Sequence, residues 1–127
     1  MSVWTAVLVG IGAAVGAPLR YLADTAVKAR LGPGFPWGTF AVNVAGSALL
    51  GALTAGAALL PPGVAALAGI GFCGALTTYS TFGYEIVELS GRRRTGTALA
   101  YLVASMLSGP AAAGAAWLAV DALIGAR

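Results

Sequence analysis

The chain has 127 residues, 59% hydrophobic and only 9% charged, with a mean hydropathy of +0.90. A soluble domain carries about 25% charged residues, so the composition excludes an ordinary water-soluble fold and predicts one integral membrane domain over residues 1–127. Seven basic and four acidic residues leave a net charge of +3, but the basic residues are dispersed over membrane flanks and form no stripe with interleaved aromatics, which excludes a nucleic-acid interface.

No histidine is present, which removes an imidazole relay and a histidine-based metal centre. The single Cys73 removes an internal disulfide and reads as a small core residue. About 20 apolar residues cross the hydrocarbon core as a helix, and four such stretches occur, at 3–27, 37–60, 64–89 and 96–124. Gly32-Pro33-Gly34-Phe35-Pro36, Pro61-Pro62-Gly63 and Gly91-Arg92-Arg93-Arg94 mark the turns between them. The first stretch lacks a basic leader and runs into further spans, so it is expected to be a mature span and not a cleaved signal.

In the first span Gly12, Gly16 and Arg20 follow at four-residue intervals, so a small-residue groove leads to a guanidinium on the same face. An arginine inside a membrane helix faces protein or water and marks function; its alternative is a snorkelling anchor paired with Asp24. In the second span Trp37 is an interface anchor. Thr39, Asn43 and Ser47 then form a polar stripe, with Thr54 further along. The Asn43 amide either bonds a neighbouring helix or donates to an anion, and its segment alone does not choose.

The third span carries the densest polar content. Thr77, Thr78, Ser80 and Thr81 lie among Gly71, Gly74 and Gly83, which predicts a break near the bilayer midplane. Backbone freed there must be buried in protein or line a polar cavity, and its carbonyls suit a cation. Glu85 and Glu88 read as an interfacial cluster facing Arg92, Arg93 and Arg94. In the fourth span Tyr101, Ser105 and Ser108 form a second stripe of hydroxyl donors, and Pro110 predicts a bend beyond them.

Lys28, Arg30, Arg92, Arg93 and Arg94 sit on one face, opposed by Arg127 and the N-terminal amine. The positive-inside rule therefore predicts cytoplasmic charged loops and both termini outside. An enzyme would need a nucleophile with its base, a carboxylate pair or metal ligands, and none is legible. One arginine, one asparagine, two hydroxyl stripes and a broken helix all donate to something negative, while intramembrane acids, which a cation pathway needs, are missing on this reading. The residues themselves point to a pathway for a small anion, and four helices leave little room for it within one chain.

Gly16-Ala17-Pro18-Leu19-Arg20-Tyr21, the run from Gly38 to Ser47 through Asn43, and Gly71-Phe72-Cys73-Gly74-Ala75-Leu76-Thr77-Thr78-Tyr79-Ser80-Thr81-Phe82 resemble the three signatures of the Fluc (CrcB-type) fluoride channels. The resemblance implies an all-α integral membrane protein of four transmembrane helices, the third broken, assembled as an antiparallel dimer enclosing two narrow fluoride pores. It implies a structural, untransported sodium ion at the dimer centre held by the carbonyls of Gly74 and Thr77. Tyr79 and Phe82 would be the pore rings, Asn43 the pore amide and Arg20 a vestibule residue. Ser80, Thr81, Tyr101, Ser105 and Ser108 would add donors along the route.

It further implies a multi-pass protein of the plasma membrane that lets cytoplasmic fluoride leave passively, with no enzymatic activity. One departure stands out: Tyr79 occupies a position where the family usually has Phe, which favours the alternative of a non-conducting structural subunit. The strong basic bias also argues against dual insertion, so the expected partner is a paralogous chain of opposite orientation. A proton-coupled multidrug exporter, the other small four-helix class, would need an embedded carboxylate that the first span lacks before Asp24.

Overall fold

The computed structural model describes residues 2–32, 34–78 and 80–125. Ser2 opens the first helix, its hydroxyl accepting the Thr5 N–H at 3.1 Å, and α1 then runs Val3–Leu31. It continues through Pro18 and ends at Gly32, whose φ of 78° suits glycine and whose N–H donates to the Lys28 carbonyl at 3.0 Å. Lys28 and Arg30 thus ride on the last turn of a helix that ends four residues beyond the expected 27, where their charge favours the negative pole of the helix. α2 spans Trp37–Ala55, shorter than expected because Gly56 ends it and Ala57–Leu59 tightens into a 3₁₀ turn before the proline pair.

The third hydrophobic stretch is the irregular one. α3 (Pro62–Val64) starts with a proline, where no N–H is needed, and passes into a π-helical segment, Ala65–Cys73. The N–H of Gly74 reaches back five residues to the Gly69 carbonyl. α4 (Gly74–Leu76) follows and stops at Thr77, whose backbone is extended (φ −80°, ψ 159°). Helix resumes as α5, Ser80–Gly91. Finally α6 runs Thr95–Gly125 straight through Pro110 as one helix. The described residues contain no strand, and four helical stretches are long and apolar enough to cross a membrane.

Backbone, more than side chain, joins these elements. A Cβ on Gly71 would lie 2.5 Å from the Val9 carbonyl oxygen, and one on Gly16 2.5 Å from that of Phe72, so α1 rests directly on the π segment and α4. Gly12 abuts the Leu67 carbonyl in the same seam. α2 and α6 run side by side in the same direction, with Ser47 beside Gly109 and Gly51 against the Ala113 backbone.

Side-chain packing is concentrated at the end bearing the basic residues. Phe82, Leu89, Ala98 and Tyr101 form the buried cluster, with Phe35, Phe40 and Ile86 against it. Tyr101 is 0% exposed, and its ring meets Phe82 at 5.0 Å and Phe35 at 5.2 Å in tilted, edge-on geometry. The other half is open: α6 buries only Ala98 and Tyr101. Large apolar side chains such as Val87, Leu107 and Leu123 point outward, as a lipid-facing surface requires.

α5 closes with two overlapping turn bonds, Arg93 N–H to the Ser90 carbonyl and Arg94 N–H to the Leu89 carbonyl, and with Arg93 left-handed at φ 58°. Only Glu88 of the two carboxylates reaches the arginines, pairing with Arg92 at 2.7 Å. Four-residue spacing along one helix face explains the pair; Glu85, one turn earlier on nearly the same face, forms no ion pair with the arginines among the described residues but lines one cleft with Lys28, Glu88, Arg92 and Arg94.

The seam of glycines gives a direct expectation. Gly71→Ala should overpack the α1 contact and destabilise the protein by about 1–3 kcal/mol. Gly10→Ala, whose added Cβ would meet nothing within 4 Å, should leave thermal unfolding in detergent unchanged. Equal melting temperatures for the two variants would contradict the backbone seam.

Candidate functional site

Between α2, the π segment and α6 lies a groove of 840 Å³. Its walls are mostly apolar, as the hydrophobic runs of all three elements dictate, and its polar groups gather where α4 ends. Asn43, Gly74, Thr77, Thr78, Phe82 and Ser105 share it.

The ordering of this region follows from the loss of helical backbone after Leu76. The Thr77 N–H and Oγ1 both donate to the Cys73 carbonyl, at 3.0 and 2.8 Å, closing the helix that ends there. Thr78 has no helical partners and finds them on α2. The Asn43 Nδ2 donates to the Thr78 carbonyl at 3.1 Å, and the Thr78 N–H donates to Asn43 Oδ1 at 2.8 Å. The Thr78 hydroxyl in turn accepts the Thr81 N–H at 3.2 Å and contacts the Thr81 and Ser80 hydroxyls. This is the spacing by which a side chain caps the first turn of a helix.

Ser105 faces the same groove from α6. Its Oγ is buried with no protein partner among the described residues, so it has a donor and lone pairs to spare. Gly74 is exposed and an added Cβ there would meet nothing within 4 Å. A Cβ on Gly46 would collide with the Thr77 side chain, so α2 passes close against Thr77.

The other residues singled out from the sequence lie elsewhere. Arg20 is half-buried on α1, outside the groove lining, and has no carboxylate in reach among the described residues. Asp24 pairs with Lys28 at 2.9 Å instead, one turn further from Arg20. Ser80 is exposed, Thr81 is held by Thr78, and Ser108 is half-buried away from the groove lining. Tyr79 lies outside the described residues.

Tyr101 is enclosed by rings, and its hydroxyl donates to Glu85 Oε1 at 3.5 Å, beside the buried Thr39. Glu85 is thus half-buried between Tyr101 and the cleft it shares with Lys28, Glu88, Arg92 and Arg94, and an acid is present among the packed helices after all. Neighbours in sequence could not reveal it, because its partner is sixteen residues away on another helix. The sequence pattern assigns Thr78 no role; the signal for it is its place beside Thr77 at the end of helical backbone.

Among the described residues no three His, Cys, Asp or Glu side chains come together. A metal ion here would therefore be held by main-chain oxygens. Gly74 and Thr77 meet that condition in type: one is open to the groove, and the other leaves the helical ladder at ψ 159°.

The family model for CrcB-like protein, Camphor Resistance (CrcB), matches residues 7–117. A protein of Thermobifida fusca named Fluoride-specific ion channel FluC 1 is 52% identical over 86% of this chain and 89% of its own length. The like-named protein of Streptomyces avermitilis is 50% identical over 84% of this chain and 87% of its own. Fluoride-specific ion channel FluC 2 of Mycobacterium tuberculosis strain H37Rv is 47% identical over 89% and 86%. With four helices able to span a bilayer and a family match that reaches from the first of them into the last, the chain is a multi-pass membrane protein belonging to the CrcB family.

Proposed function

We propose that this chain is a subunit of a fluoride-selective channel through which cytoplasmic fluoride leaves the cell passively. The observation that carries the reading is the identity of 47–52%, over most of the chain, to relatives named as fluoride-specific ion channels. The groove supports it. A small halide gives up its water shell only where donors replace it, and Asn43, Thr78 and Ser105 bring polar groups to one apolar cleft. Phe82 adds a ring whose edge is its electropositive part. Conduction, and no covalent chemistry, is the activity.

Passive flow suffices. Hydrogen fluoride, a weak acid, crosses the bilayer neutral and dissociates inside, and a negative interior drives the anion outward with about 2.3 kcal/mol per 100 mV. The plasma membrane is the setting in which that gradient acts. Lys28, Arg30 and Arg92 to Arg94 would face the cytoplasm and both termini the outside. The long open groove of a single chain calls for a second one, and on this reading the assembly is an antiparallel dimer. The basic bias favours a paralogous partner of opposite orientation.

At the dimer centre the carbonyls of Gly74 and Thr77 would hold a sodium ion, with the partner completing the cage. The ion supplies fixed positive charge and is not transported. Gly74 keeps that face open for lack of a side chain, and Thr77 presents its carbonyl through extended backbone. Arg20, Ser80, Thr81, Tyr101 and Ser108 would act at the ends of the route or behind it. Tyr79, at the other ring position, favours a second reading, a structural subunit whose own pore conducts poorly.

Reconstituted into liposomes with its dimer partner, the protein should release loaded fluoride, read by a fluoride electrode, and retain chloride. Ser105→Ala should slow release by about two- to tenfold, the effect of one lost hydrogen bond, with unchanged thermal stability because Ser105 Oγ has no protein partner among the described residues. Full-speed release from that variant would remove Ser105 from the route. Replacing sodium by potassium during purification should lower the melting temperature, and identical curves in the two salts would argue against the cage. Tyr79→Phe should raise the flux if the phenol hinders passage; an unchanged rate leaves Tyr79 without that role.

A further inference from the structure

The extended stretch after α4 is a problem in itself. Peptide groups outside a helix need partners wherever water is scarce, and each one lacking a partner destabilises the fold by a few kcal/mol. The chain meets the need for Thr78 with a single side chain from another helix. Asn43 offers its carbonyl to the Thr78 N–H and its amino group to the Thr78 carbonyl, at 2.8 and 3.1 Å. A primary amide matches a peptide group in this way because donor and acceptor sit side by side at the same spacing, as they do on the edge of a neighbouring strand.

We propose that Asn43 is a positioning residue, an amide splint that fixes the Thr78 backbone beside the extended Thr77 and, through it, the start of α5. The Thr78 backbone is held by Asn43, while its hydroxyl caps the Thr81 N–H. Phe82 lies one residue beyond, in the first turns of α5, and faces the groove. On the other side Thr77 carries the carbonyl assigned to the metal cage. One side chain on α2 therefore sets the placement of both the groove ring and the cage oxygen. The amide has not exhausted its donors: Nδ2 carries two hydrogens, and one bond to Thr78 uses one of them. The second remains for the groove, which Asn43 lines. Holding the backbone and donating to a passing anion are thus compatible uses of one group, and only the second of them rests on the channel reading.

Hydrogen–deuterium exchange at single-amide resolution separates the two uses. Thr78 lines the groove, so its N–H is reachable once its acceptor is gone. In Asn43→Ala the Thr78 amide should exchange about tenfold faster than in the native protein, the equivalent of one hydrogen bond. Asn43→Asp retains an acceptor for that N–H but no donor for the anion, so it should restore the protection of Thr78 without restoring fluoride release. Asn43→Leu, which fills the site but offers no acceptor, should leave Thr78 as unprotected as the alanine variant does, whereas a general packing role would keep it protected.

Exchange at Thr78 that is the same in Asn43→Ala and the native protein overturns the splint, and so does an Asn43→Asp protein as unprotected there as the alanine variant. Should the alanine variant fail to fold, slow exchange of the Asn43 side-chain amide in the native protein is the matching observation, and rapid exchange there overturns the proposal. A native protein that shows the protection but releases no fluoride leaves the splint standing and removes the channel.

Discussion

Everything in this bundle answers to one requirement: peptide groups in an apolar surrounding must be bonded to something. Helices meet it internally, and the chain is almost entirely helical. The exception among the described residues of the third stretch is Thr77 and Thr78, after Leu76, and the side chains nearest to them are the ones that supply the missing partners. Thr77 folds back on Cys73, Asn43 takes the Thr78 backbone, and Thr78 takes the Thr81 N–H. The polar stripe on α2 and the hydroxyls of the third stretch thus belong to one network. Its members also line the groove, so the demand for satisfied backbone is what brings polar groups into an apolar cleft.

Around that network the two halves of the molecule are built differently. Aromatic and aliphatic side chains fill the end near the basic residues, with Tyr101 wholly enclosed between Phe35 and Phe82. The other end is held by contact of peptide against peptide along Gly12, Gly16 and Gly71, with a groove beside it. Lost apolar burial is small for such contacts, and dispersion between closely approaching backbones carries the association instead.

Much of this was legible in the residues. Hydropathy alone located four spans, because a stretch that must sit in hydrocarbon can hardly be anything else. Glycine and proline located the turns between them, and errors of a few residues arose where a turn residue was absent, as at Lys28, or arrived early, as at Gly56. The link between Asn43 and the third stretch could not be read, since a single-helix pattern does not say which neighbour a polar face meets. Glu85 shares the expected charged cleft with Glu88, Arg92 and Arg94, but its bond to Tyr101 on another helix could not be read for the same reason. Asp24 went to Lys28 and not Arg20, although both are one turn away. The π-helical turns of Ala65–Cys73 left no trace in a run of small apolar residues, which carries no signal that distinguishes i→i+5 from i→i+4 bonding.

The glycine seam separates what the protein is from what it does. Where two helices touch largely through their main chains, few side chains take part in the joint, so residues on the outer faces can drift with the surrounding lipid and those in the cleft with the cargo, with little shift of the walls. Such a scaffold resembles a dovetail cut into the wood itself: it tolerates any finish on either surface, and it fails only when something is wedged into the cut.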